Sequence, residues 1–314
     1  MFSRSAFLLV FPLSALFGLA ACSSDPTPST STTDAGTDTG SKVDTGGTTD
    51  APPAEPCSEP AEERPVGSQC VKTVTGKAVD TTGAPLPAGK LISVCGQICF
   101  FGETVAGGTF TATVGRWIKV SNFAASVHGR PDFASLYEKL PAGAADAILL
   151  PTLVLPKLPT SGAAIPMDSK NIVTVATSVS DGDVTLNIPA GTEVELDLED
   201  VELGEAGKLF RAVKVETKDY PTFVKGENVL ALYAATPFDS KYKNKVGLSF
   251  NTTAGLAEGT AVEIIGLGND FLREPFTAGK LEVVATGKVS GGKIVTDAGQ
   301  GLTTMTWFGV RAKK

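Results

Sequence analysis

From residue 71 onward the apolar residues come in short β-branched runs cut by glycine and proline, and that rhythm leaves almost no room for long helices. The chain has 34 glycines and 20 prolines among 314 residues. "VKTVTGKAVDTTGAPLPAGKLISVC", residues 71–95, gives a β-branched run, a polar Gly/Pro turn and a second apolar run. "GETVAGGTFTATVGRWIKVSNF" repeats the scheme, with Phe110, Ala112 and Val114 alternating against polar neighbours. Short strands separated by turn signals predict a sandwich. One segment departs from this: Phe133, Leu136, Tyr137 and Leu140 recur at helical spacing, with Asp132 as N-cap and Pro141 as stop, and predict a short helix.

The second half keeps the strand rhythm, with apolar runs at 229–233, 246–250, 261–265, 281–285 and 305–310. In "EVELDLEDVELGEAGKLFRAVKVETK", residues 193–218, Glu193, Glu195 and Asp197 alternate with Val194, Leu196 and Leu198, which predicts a half-buried strand with one acidic face. Parity slips at Glu199-Asp200, so Val201 and Leu203 point inward only across a bulge. A second strand should follow, with Leu209, Val213 and Val215 inward and Lys214 and Lys218 pairing with the acids. Three acids in line do not form a calcium site, because same-face neighbours stand about 7 Å apart. Asp181 and Asp183 read as a tight turn. The expected fold is all-β, as two consecutive β-sandwich domains over 57–158 and 159–314.

Ahead of these domains lies an export signal. Arg4 precedes an apolar run from Ala6 to Leu19. That run is shorter than the roughly 20 residues a spanning helix needs. Leu19-Ala20-Ala21-Cys22 resembles the lipobox of bacterial lipoproteins, which implies cleavage after residue 21 and acylation of Cys22. Ser23 follows rather than Asp, which implies sorting to the outer membrane. Residues 23–56 are almost wholly Ser, Thr, Asp, Gly, Pro and Ala, too polar to offset their ordering entropy. We read 22–56 as a disordered linker that holds the domains off a membrane. The formal charge of −7 becomes −8 without residues 1–21, which contain Arg4 and no acid. That balance excludes a nucleic-acid partner, since phosphate contacts need a basic face.

The opening of the first domain, Gly76-Lys77-Ala78-Val79-Asp80-Thr81-Thr82-Gly83-Ala84-Pro85-Leu86, with Thr104, Gly108 and Phe110 further on, resembles the carboxypeptidase regulatory-like domain, a transthyretin-like β-sandwich. Ala78 stands where that family has Val. The likeness covers about residues 70–158 and implies a fold, with no active site. "DGDVTLNIPAGT", residues 181–192, weakly resembles the opening of ZU5-type β-domains.

Five cysteines remain to be placed, one of them the acylated Cys22. Cys57, Cys70, Cys95 and Cys99 form an even set with three pairings open. Export favours disulfides over a four-thiolate metal site. In one straight strand Cys95 and Cys99 would stand about 13 Å apart, too far to bond. A tight turn at Gly96-Gln97 brings them together, so Cys95–Cys99 pinning a hairpin and Cys57–Cys70 closing the entry loop is the expected arrangement.

Catalysis is not expected. The one histidine, His128, precedes Gly129 and Pro131 and reads as a loop residue, so any histidine-dependent nucleophile hangs on it alone. No catalytic residue, cofactor or metal ligand is assigned. Trp117 and Trp307 sit within apolar alternation and read as core. The expected function is therefore a non-catalytic, lipid-anchored envelope protein acting as a structural or interaction module, with an envelope protein or glycan as partner. The alternative is a carbohydrate-binding accessory, which would present Trp or Tyr rings on one exposed face.

Overall fold

The structure is a computed structural model that describes residues 56–143, 145–271 and 276–313. The signal segment, Cys22 and the linker up to residue 55 lie outside the described residues. Ala51–Lys314 forms one compact unit, and the fold is all-β.

The first half contains β1 (Gln69–Val79), β2 (Leu91–Cys95), β3 (Cys99–Glu103), β4 (Thr109–Ile118), β5 (Ala124–Val127), β6 (Leu136–Lys139), β7 (Ala147–Leu149) and β8 (Leu153–Val154). They form two sheets, β4-β1-β7 with β8 on β1, and β3-β2-β5-β6, closed over a common core. The turn after β1 is made by Asp80, whose Oδ1 accepts from the Thr82 and Ala84 amides. Gly108 has φ 72°, and a Cβ there would come within 2.3 Å of the Ala78 carbonyl, so only glycine fits that turn.

The second half runs through β9 (Ala163–Ala164), β10 (Ile172–Val173), β11 (Thr177–Asp181), β12 (Val184–Ile188), β13 (Thr192–Glu195), α1 (Leu198–Glu202), β14 (Leu209–Val215), β15 (Val229–Thr236) and β16 (Lys241–Phe250). It continues with β17 (Ala261–Leu267), β18 (Leu281–Ser290), β19 (Lys293–Thr296), β20 (Leu302–Thr304) and β21 (Phe308–Ala312). The pairing path β12-β16-β19-β18-β17-β21-β15-β14 curls around its own core. The Ala212 amide of β14 donates to Asp181 Oδ2 of β11, which pairs with β12, so the ends of the path meet.

Alternation explains how the halves join. On β15, Ala231, Tyr233 and Ala235 face the second core, whereas Leu232 and Ala234 pack into the first. Both faces of that strand are buried, as its unbroken apolar sequence requires. Trp307 is fully buried in the first core, and its Nε1 donates to the Ser135 carbonyl at 2.7 Å.

Four expectations are corrected. Residues 133–140 form no helix, since 136–139 are strand β6. Leu136 and Tyr137 are both buried on opposite faces, and a strand buried on two sides mimics helical spacing. The acidic strand ends at Glu195, and the slip at Glu199-Asp200 is the helix α1, which Asp197 caps by accepting from the Glu199 amide. Leu198 and Val201 are exposed and Asp200 is buried, the reverse of the bulged-strand reading. Glu195 and Glu193 pair with Lys241 and Lys243 of β16 at 3.0 and 3.2 Å, not with Lys214 and Lys218. Finally, Trp117 is half-buried at the surface, with the Arg64 guanidinium 4.2 Å above its ring.

A candidate binding cleft at the junction of the two halves

The sheet β3-β2-β5-β6 turns one face to the first core and the other toward the second half. On that outer face, cross-strand pairing sets Phe101, Ser93, Ser126 and Tyr137 in one row. Cys95 and Cys99 pair at the end of the β2–β3 hairpin and are bonded, with Cα atoms 4.2 Å apart. Cys57 and Cys70 form the second disulfide. This face is the floor of a cleft of about 860 Å³ whose walls include Asp197, Asp239, Lys241 and Asn269 from the second half. A recess of about 340 Å³ shares Asp197, Asp239 and Lys241 and reaches Glu195. Both volumes fall in the range of small-ligand sites.

Behind the cleft lies a buried ion cluster. The Arg130 side chain is 3 % exposed. It donates to Asp200 Oδ2 at 2.6 Å and Asp197 Oδ2 at 2.9 Å, and pairs with Glu199 Oε2 at 3.0 Å. The Phe238 carbonyl accepts from it at 3.2 Å. Burial works against the guanidinium charge, yet the three carboxylates hold its pKa above the usual value. Burial pushes Asp200 up to about 6 against the pull of Arg130. Glu199 is also raised by burial, but His128 and Arg130 outweigh that and leave it below its usual value.

His128 is no bland loop residue. Its Nδ1 lies against a Glu199 carboxylate oxygen, and its Nε2 is 3.1 Å from Ser93 Oγ. Ser93, His128 and Glu199 thus have the connectivity of nucleophile, base and orienting acid. Ser93 lies on β2, an interior strand paired on both sides, so its own backbone polar groups serve the sheet. Asp197 and Asp239, which line the same cleft, would oppose negative charge developing there.

Asp239 holds the junction. Tyr137 Oη of β6 donates to its Oδ2, and Asn269 Nδ2 donates to its Oδ1 at 3.1 Å. Burial raises it to about 6. The adjacent Glu138, on the other face of β6, accepts from Thr222 Oγ1, and burial pushes it up to about 7. It borders a cleft of about 910 Å³ lined by Lys119, Lys139 and Lys280. That space is slightly larger, but the buried ion cluster and its perturbed carboxyls mark the junction cleft as the functional candidate.

Sequence reasoning brought the cystine hairpin to this place and missed the rest. Arg130 and its acidic partners are about 70 residues apart in the chain, and no periodicity reports such a pairing. One usable signal was overlooked: Asp197 followed by Glu199 and Asp200 is an acidic helix start. Cys22, the assigned lipidation residue, lies outside the described residues. Among the described residues no three His, Cys, Asp or Glu side chains are placed to hold a metal ion, and no helix is long and apolar enough to cross a membrane. No protein-family model and no curated protein matches this chain.

Proposed function

We propose that the protein is an exported lipoprotein, acylated at Cys22 and held at a bacterial envelope membrane, the outer one on the evidence of Ser23. It works without catalysis as a structural or interaction module, and the junction cleft is its working surface. Residues 70–158 serve in this reading as a carboxypeptidase regulatory-like sandwich that supplies the cleft floor.

The observation that carries the reading is how the cleft is built. Its floor is a hairpin fixed by the Cys95–Cys99 bond, and its back is the Arg130 cluster, so the surface is rigid before any partner arrives. Preorganisation of that kind lowers the ordering cost of association. The Ser93 backbone is engaged in the sheet and Asp197 and Asp239 line the cleft beside it, which favours binding over turnover in this reading. A glycan platform has less support, because Trp307, Tyr137, Tyr233 and Tyr242 are buried, Tyr220 is half-buried and Trp117 lies under Arg64.

Metabolic labelling with radioactive palmitate tests the tether. The wild-type protein should carry label and fractionate with membranes, and Cys22→Ala should lose both. Equal labelling of the two, or none of the wild type, would remove the anchor.

A further inference from the structure

We propose that the cleft bordered by Lys119, Lys139 and Lys280 binds a small organic anion, a carboxylate or phosphate group carried on an apolar body. This is a second site, separate from the junction cleft, and it goes beyond the reading of that cleft as the working surface.

The lysines are unpaired. Among the described residues no carboxylate forms an ion pair with Lys119, Lys139 or Lys280, although acids outnumber Lys and Arg in the chain by 34 to 27. Lys280 Nζ donates to the Phe276 carbonyl at 2.7 Å, a neutral acceptor that leaves its charge uncompensated. The fold brings two of these cations together. Gly279 has φ 74°, and a Cβ there would come within 2.6 Å of the Lys139 amide nitrogen, so only glycine lets this segment lie against β6 and set Lys280 beside Lys139. Lys139 is half-buried, and burial and the Lys280 charge both lower its pKa. Two ammonium groups held together without a counterion oppose each other, and an anion seated between them removes that opposition.

The carboxyls on the walls do not fill this role. Glu227 pairs with Arg311 at 2.6 Å. Glu138 is 4 % exposed and accepts from Thr222 Oγ1, and burial raises it to about 7, so below that pH it is mostly uncharged. Apolar side chains supply much of the remaining wall. Phe223 and Leu281 are half-buried there, and Val120 and Leu140 add buried surface. Such a wall receives the apolar body of a ligand and, by excluding water, strengthens the attraction between its anionic group and the lysines.

Isothermal titration of the full mature chain in neutral detergent micelles, at pH 6 and low salt, tests the assignment with phenyl phosphate, phenylacetate, inorganic phosphate and phenethylamine as probes. Phenyl phosphate and phenylacetate should bind and weaken as salt rises, and the tighter of the two distinguishes a phosphate from a carboxylate ligand. Inorganic phosphate should bind about fivefold or more weakly than phenyl phosphate, because it lacks the apolar body, and phenethylamine should not bind. Lys139→Gln should weaken phenyl phosphate by about three- to tenfold. The same variant should keep or raise the urea midpoint, since it removes one of two opposed charges. Lys293→Gln, at the exposed far end of the β18–β19 hairpin, should bind like the wild type. Failure of both organic anions to bind, phenethylamine or inorganic phosphate binding as tightly as phenyl phosphate, or equal affinities of Lys139→Gln and Lys293→Gln overturns the assignment.

Discussion

Replacing Arg130 with Ala should destabilise the folded protein by about 3–5 kcal/mol at pH 8, because it strips the partner from a carboxylate that is almost fully buried. Asp200 is 1 % exposed, and among the described residues its one ion pair is with Arg130. The loss should depend on pH in a defined direction. Burial raises the folded pKa of Asp200 to about 6, above the range usual for an aspartate. A carboxyl raised in this way contributes stability that is present below its unfolded pKa and lost as pH rises through its folded pKa. Without Arg130 the folded pKa moves higher still, so the variant should lose least near pH 4 and most above pH 7. Urea midpoints across that range check it. Asp200→Asn added to Arg130→Ala should recover part of the loss at pH 8 and little at pH 4.

Trp307→Ala should cost about 4–5 kcal/mol. Truncating a fully buried tryptophan leaves a cavity worth about 3–5 kcal/mol, and the Ser135 carbonyl loses the donor that reaches it from the other half. Trp307→Phe should cost about half as much, since most of the volume stays and only the hydrogen bond and part of the ring are lost. Because Trp307 of the second half packs in the core of the first, both halves should unfold in one transition in the wild type. Urea denaturation followed by far-ultraviolet circular dichroism and by tryptophan fluorescence should give coincident curves. Separate transitions would show that the shared core does not couple the halves.

The strands were legible wherever one face is buried and the other wet. Phe110, Ala112 and Val114 alternate in the chain and are buried in the fold. Legibility ended where both faces are buried. On β6, Leu136 enters the core, Tyr137 crosses to Asp239 and Glu138 to Thr222, and the resulting unbroken pattern reads as a helix. It ended again where polarity is inverted. The short helix α1 exposes Leu198 and Val201 and buries Asp200, because the guanidinium of Arg130 draws the acids inward more strongly than two apolar side chains draw the helix over. The cystine hairpin was within reach of the sequence, since a turn at Gly96-Gln97 can bring Cys95 back to Cys99 and export favours disulfides, although three pairings stood open. The cleft that this hairpin floors could not. It is assembled by long-range contacts between residues about 30 to 110 positions apart, and residue type alone carries no record of them.

In the proposed reading the junction cleft is the working surface of a protein tethered at Cys22. Photo-crosslinking in intact cells tests that most directly, with a benzophenone amino acid placed at position 101 on the cleft floor or, as control, at position 149, where Leu149 is 74 % exposed on the separate sheet containing β7. The account predicts a discrete envelope adduct from position 101 and none from position 149. No adduct at 101, or the same adducts from both positions, would contradict it.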